Sequence, residues 1–420
     1  MDTRIPVSRS RTWPLALGAA CAIAAALPAH ALTFAEAMAL AQEQSPALQS
    51  QAASLAGAEA AQGAADSLPD PRLSVGVENL PLTGGDRLSL TRDFMTMTRI
   101  GLMQEVPNAA KREARGQGAR WKAERERVML GVAKLQLRQS LVRTWVAVTS
   151  VQQRQHVLDE MLQENRKLQD TLPARIAGGG AMAADLLMAR QEALALADRR
   201  DEFVRDESKA RAALRKLVGE RAREPLEGEP PIANLGGGQV REQLHGHAEL
   251  EVYSPMLGMA QAELGEAQAE ARGDWSWEVA YQKRGPQWGD MVSFQVSFDL
   301  PWQRDRRQQP LIAARIKDVQ RIEAERAEME RRHAQEIDEQ LAELEALQRQ
   351  LERLRSAMLP LASERVQLAL ASYESNRGNL AGVLAARREL LEARMRLIDL
   401  QAQRDDLRAR LDNQTLEQAR

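Results

Sequence analysis

From Asn108 to Leu172 the chain runs without a proline and is dense in Arg, Glu, Gln and Ala. Read as one helix, at about 1.5 Å per residue, this stretch is about 100 Å long, far longer than a compact domain needs. Its mixed charge and narrow apolar stripe suit helices packed side by side in a tube. Pro173 and Gly178-Gly179-Gly180 are its expected end, and a second long helix follows from about Ala183 to Val218. Aromatics are only 4% of the chain, low for a compact globular core, while Ala, Leu, Gln, Glu and Arg dominate.

Ahead of the long helix, Thr33 to about Ser67 reads as a helix with Thr33 and Glu36 as its capping box. Leu68-Pro69-Asp70-Pro71 ends it. Residues 72–80 and 99–107 then alternate apolar with polar, the period of a strand, on either side of a Pro/Gly-rich loop. A Pro/Gly-rich connector follows the long helices, and after it the plan starts again. A helix over 249–272 leads to strands over 275–284 and 291–302, then to a long charged helical stretch marked by Pro360, Gly378 and Gly382. Residues 106–115 fall opposite 300–309, and 174–194 opposite 372–391. The chain is read as a signal segment (1–31), a first structural repeat (32–221), the connector (222–240) and a second repeat (241–420).

The signal segment rests on basic Arg4, Arg9 and Arg11, a short apolar run from Leu15 to Leu27, and Ala29-His30-Ala31 as a small-x-small cleavage site. Acylation at Cys21, the only cysteine, is the alternative, but Gly18 sits where a branched apolar residue is wanted. The near balance of 57 Lys+Arg against 59 Asp+Glu argues against a nucleic-acid partner. No later stretch is long and apolar enough for a spanning helix, so a membrane role must come through strands.

The last two strands carry that role. Val292, Phe294, Val296, Phe298 and Leu300 fall on one face and Ser293, Gln295, Ser297 and Asp299 on the other; Trp275, Trp277, Val279 and Tyr281 share a face of the strand before. Trp275, Trp277, Trp288 and Trp302 rim the pair, and tryptophan favours a membrane–water boundary. Strands of about nine to eleven residues, apolar outside and polar inside, are the mark of a spanning barrel. Trp275, Trp277, Tyr281, Trp288, Phe294, Phe298 and Trp302 are therefore the candidate lipid-facing and girdle residues. A small periplasmic sandwich is the rival, but four strands offer it little core. Four strands cannot close, and open edges are not tolerated in lipid. Three copies supply about twelve strands, wide enough for an aqueous lumen. The predicted fold is mainly α with a small β part, long helices forming an α-barrel below a shared β-barrel.

Other motifs are set aside. Met95 and Met97 share strand parity and, with Met103, invite a soft-metal reading, but methionine is a common apolar filler. His245-Gly246-His247 reads as exposed loop lacking a third ligand, and His156 and His333 stand alone on charged helices. No phosphate loop, nucleophile elbow or paired-acid arrangement appears, so neither an enzyme nor a cofactor or metal site is expected.

The repeated helix–strand–strand–helix–helix plan, together with residues 39–79, resembles the TolC family of trimeric outer-membrane efflux channels. DPRLSVGVENLP and SLTRDFMTMTRIGLMQEVPNAAKREAR resemble its branch paired with heavy-metal RND pumps (CzcC/CusC-like). The resemblance implies a homotrimer in Gram-negative outer-membrane lipid, reaching into the periplasm and passively conducting cargo from an inner-membrane RND pump and a periplasmic adaptor (membrane fusion protein). Heavy-metal cations of the Cu/Ag or Co/Zn/Cd type are the implied cargo; drugs or other small molecules are the alternative, and a periplasmic coiled-coil adaptor is the remote one. It also implies adaptor contact at two helix-turn-helix tips, carried over to Gly178, Gly179, Gly180, Asp185, Asn376 and Gly378, and a gate at Asp185, Tyr373 and Arg377. The second tip departs from the family pattern: Asn376 stands where a glycine is expected and Gly382 where an aspartate is usual.

Overall fold

The computed structural model describes residues 31–232, 237–242 and 247–412; residues 1–30 of the signal segment and His245 fall outside them. A helical shaft carries a small sheet at one end and two tight helical turns at the other. The chain enters through β1 (Leu32–Thr33), then α1 (Phe34–Gln44) and α2 (Pro46–Gln62). The expected capping box forms at α1: Thr33 Oγ1 accepts from Glu36 N, and Glu36 Oε2 from Thr33 N, each at 3.3 Å. The single helix expected to Ser67 is instead two. Pro46 lacks the N–H that a continuing helix needs, and Ser45 restarts the chain by accepting from Leu48 N.

Strands β2 (Arg72–Glu78) and β3 (Met97–Val106) follow, then α3 (Ala109–Ala177), 69 residues long, capped by the Asn108 side chain on Lys111 N. Pro173 does not end α3 as expected: it lies inside the last turns, and the glycines from Gly178 stop the helix. The return helix α4 (Ala183–Val218) leads to a 3₁₀ turn (Gly219–Arg223), to β4 (Leu226–Glu227) and to the short α5 (Gly237–Glu242). The connector was expected to be loop, but β4 pairs in parallel with β1. Mid-shaft, Trp145 packs edge-on against Phe34 at 5.5 Å and donates through Nε1 to the Gly228 carbonyl.

The same element order then recurs. Helices α6 (Ala248–Glu251) and α7 (Tyr253–Glu270) precede β5 (Trp275–Lys283) and β6 (Met291–Phe298), followed by α8 (Gln309–Arg353), α9 (Leu359–Glu374) and α10 (Leu380–Asp412). One π-helical turn (Arg304–Gln308) leads into α8 and a second (Leu354–Met358) joins α8 to α9. Pro310 and Pro360 sit just beyond these turns, where the wider coil accommodates a ring and a missing donor without breaking the long helix. Toward the sheet α3 packs against α2 and α7, and α7 against α8; toward the tip turns α3 packs with α4 and α10, and α10 with α9. Among the described residues no helix is long and apolar enough to cross a membrane.

Candidate functional site

The sheet order is β2-β3-β5-β6, every pair antiparallel, so the two repeats meet at β3–β5. Register then sorts the side chains. Leu73, Leu102, Val279 and Phe294 lie in one row across all four strands, and Val75, Ile100, Tyr281 and Val292 in the next but one. Trp277 pairs with Val296 and Trp275 with Phe298 on the same face. This face is bare: Leu73 is 70%, Phe294 68% and Phe298 68% exposed. Trp277 is half-buried among its neighbours. A contiguous apolar face of this kind has no place in water.

Rows between these belong to the other face. Ser74, Gly101, Ala280 and Ser293 form one; Arg72, Met103, Glu278 and Gln295 another. Here Arg99 reaches Glu78 at 2.9 Å and Glu278 at 2.7 Å, tying β2 to β5 across β3. Gly101 leaves room for this: a Cβ there would stand 2.7 Å from both Glu278 Oε1 and Ser74 Oγ. Met97 and Met103 also face this side, in separate rows; Met95 precedes β3, so the expected shared parity does not hold. Strand β6 stops at Phe298, short of the expected 302, where Asp299 N donates to the Asp274 carbonyl. Leu300 and Trp302 lie past it, and Trp302 is 85% exposed. Trp275 and Trp302 mark the helical end of the sheet. At the opposite end Trp288, in the β5–β6 turn, lies 6.3 Å from Phe94 of the β2–β3 loop.

Asp274 joins sheet to shaft. It accepts from Asn108 N at 2.9 Å and Lys111 Nζ at 3.0 Å. Burial pushes its carboxyl up, but the Asn108 amide and the Lys111 ammonium outweigh burial and hold it below the usual carboxylate range.

At the far end the two tips pack on each other. Leu172, Ala189, Tyr373, Leu380 and Val383 form a shared apolar cluster. The first turn needs a positive φ at Gly179 (75°), and the second takes the same conformation at Asn376 (57°), a residue that tolerates it. Asn376 thus does a glycine's work. Gly378 is pressed against Ser372 and Tyr373, where a Cβ would come within 3.0 Å. The helix starts are capped in opposite senses. Asp185 accepts from Met182 N at 2.9 Å, reaching back, whereas Asn379 accepts from Gly382 N at 2.9 Å, reaching forward. Gly382 therefore needs no carboxylate.

Of the three expected gate residues, Asp185 is buried in its cap and Tyr373 is 4% exposed, while Arg377 is on the surface. Arg175, which sequence reasoning missed, lies over the Tyr373 ring at 4.3 Å and donates to the Tyr373 carbonyl at 3.2 Å. Burial, then the nearby Asp185, raises the Tyr373 hydroxyl above its ordinary value, against Arg175. Arginine on a charged helix gave no signal of this. His333 is a further correction: it does not stand alone but is buried and stacked on His247, their ring centroids 3.8 Å apart.

No family model and no curated protein matches the sequence. Solved structures do match. An outer membrane protein, VceC, from Vibrio cholerae aligns at TM-score 0.75 and 19% identity, over 91% of this chain and 96% of that one. A membrane protein from Pseudomonas aeruginosa aligns at 0.76 and 17%, over 90% and 92%. CusC, described for conformational changes accompanying folding and transmembrane channel formation, aligns at 0.76 and 15%, over 91% and 92%. The chain has the fold of solved outer-membrane channels. That likeness extends through sheet, shaft and tips.

Proposed function

We propose that this protein is the outer-membrane duct of a tripartite efflux system, working as a homotrimer without catalysis of its own. The observation that carries the reading is the sheet: one face bare and apolar, the other charged, with β2 and β6 left as unpaired edges. Lipid accepts the first face but not the free edges. Edge β6 of one copy joined to edge β2 of the next removes them and closes about twelve strands around the polar face. The recurrence of one element order supports two repeats at 32–221 and 241–420. The tip turns, with Gly178, Gly179, Gly180, Asp185, Asn376 and Gly378, are the adaptor contact. There the Arg175–Tyr373 stack holds the two turns of a protomer together, so opening moves each tip as a unit, with Arg377 free to bond to a neighbouring copy. Heavy-metal cations are the favoured cargo, on the resemblance of residues 70–81 and 89–115 to that branch; drugs or other small molecules are the second reading. Fractionation and crosslinking test the duct: a crosslinked trimer in the outer membrane is expected, and a soluble periplasmic monomer overturns it. Deleting the gene and challenging cells with metal salts and dyes sorts the cargo by which one they no longer tolerate.

A further inference from the structure

Away from the sheet and the tips, two histidines and two carboxylates meet around an open cavity of about 340 Å³ beside the connector. His247 and Glu249 come from the start of α6, and His333 and Glu336 from one face of α8. His333 is 5% exposed. Its Nδ1 lies 3.3 Å from Glu336 Oε2 and its Nε2 3.2 Å from Glu249 Oε2. The second approach is close enough for an ion pair but misdirected for a hydrogen bond, and Nε2 is buried without a hydrogen-bond partner. A buried ring nitrogen left in this way, with a carboxylate oxygen and a second imidazole beside it, calls for something to fill the gap.

We propose that His247, Glu249 and His333 form a binding site for a borderline divalent cation of the zinc class, with Glu336 orienting His333 from behind. Their ligand atoms lie within 4.8 Å of one another. Bonds of about 2.0–2.1 Å in a tetrahedron set ligand atoms about 3.3 Å apart, so His333 Nε2 and the Glu249 oxygen, at 3.2 Å, already stand at that spacing. His247 must turn to complete the set. Its Nδ1 accepts from Glu249 N at 3.2 Å, a weak bond exchanged for the metal. Glu336 Oε2 stands 3.3 Å from His333 Nδ1, and on binding the ring would turn its Nδ1–H onto that oxygen, the carboxylate–histidine–metal arrangement that fixes the ligating tautomer. Two imidazoles and one carboxylate suit Zn²⁺, Co²⁺ or Ni²⁺, whereas Mg²⁺ and Ca²⁺ prefer all-oxygen sites. The fourth position faces the cavity and takes water. Once bound, the ion would staple the start of the second repeat, at His247 and Glu249, to that repeat's long helix α8, whatever cargo the duct carries.

Full-length protein in detergent, stripped with EDTA and desalted, is titrated with zinc chloride by calorimetry and with cobalt chloride by visible absorption. One Zn²⁺ per chain and a tetrahedral Co²⁺ band are expected. His333→Ala and His247→Ala should each weaken binding at least about 100-fold. Glu336→Gln should weaken it about 10–100-fold at unchanged stoichiometry. His156→Ala, an exposed histidine beside Glu160 alone, should change nothing. His247 sits at the cavity rim, so its variant decides the matter if His333→Ala fails to fold. No zinc uptake by folded wild-type protein, or equal uptake by the His247 variant, overturns the site. Neither outcome bears on membrane fractionation, so the duct stands or falls separately.

Discussion

Sheet and tip invert each other. In the sheet the apolar residues, Leu73, Val292, Phe294 and Phe298, lie exposed on one face, and the charged Arg99, Glu78 and Glu278 crowd together on the other. At the tip Leu172, Tyr373, Leu380 and Val383 are buried together, and the charged Arg377 lies on the surface. One chain thus carries two ends of opposite surface character. Burial alone would score the sheet as a failure; it is a failure only in water.

The largest expected effect sharpens the tip side. Tyr373→Ala should lower stability of the tip by about 3–5 kcal/mol, the cost of emptying an aromatic site, read as faster hydrogen exchange in Leu380–Val383. Tyr373→Phe should be tolerated, since the hydroxyl is buried without a hydrogen-bond partner; equal damage from both would place the hydroxyl, not the ring, at the centre of the packing. Next, Phe294→Arg should cost about 2–4 kcal/mol at mid-bilayer and deplete the outer-membrane trimer, whereas Ser297→Arg on the opposite face should not. If quantitative blotting finds the two alike, the inversion is lost.

Asp274 sits where the two regimes join, and Asp274→Asn should lower the melting temperature by the equivalent of about 1–3 kcal/mol at neutral pH. Its folded carboxyl is depressed, so its contribution is fully present above the ordinary carboxylate value of 3.8 and is lost as pH falls through the folded one. The gap between wild type and variant should therefore close below about pH 4. The smallest effect is at Asn376→Gly, a change of a few tenths to about 1 kcal/mol that should leave the tip folded, because glycine takes that positive φ without strain. Gly179→Val should be clearly worse.

Much of the architecture was legible because it is periodic. Period-two alternation over 291–298 divided the β6 side chains into the two sets that the register shows, and proline-free charge over 108–172 marked the long helix. Where local signals compete, reading failed by residues: Pro173 is carried inside α3, Ser45-Pro46 splits the first helix, and β6 stops at Phe298. The candidate tip was legible in its glycines, and Asn376 in the glycine's place was visible as a departure but not as a substitute until its φ was known.

Sequence by itself determined that the shaft helices are long and which strand residues share a face, because both follow from spacing along one chain. Only the tertiary structure decided that β3 meets β5, that Arg99 bridges Glu78 and Glu278, that Arg175 covers Tyr373 and that His247 stacks on His333. Those partners lie from 21 to 198 residues apart, and nothing local in an arginine or a histidine says which distant residue the fold will bring to it.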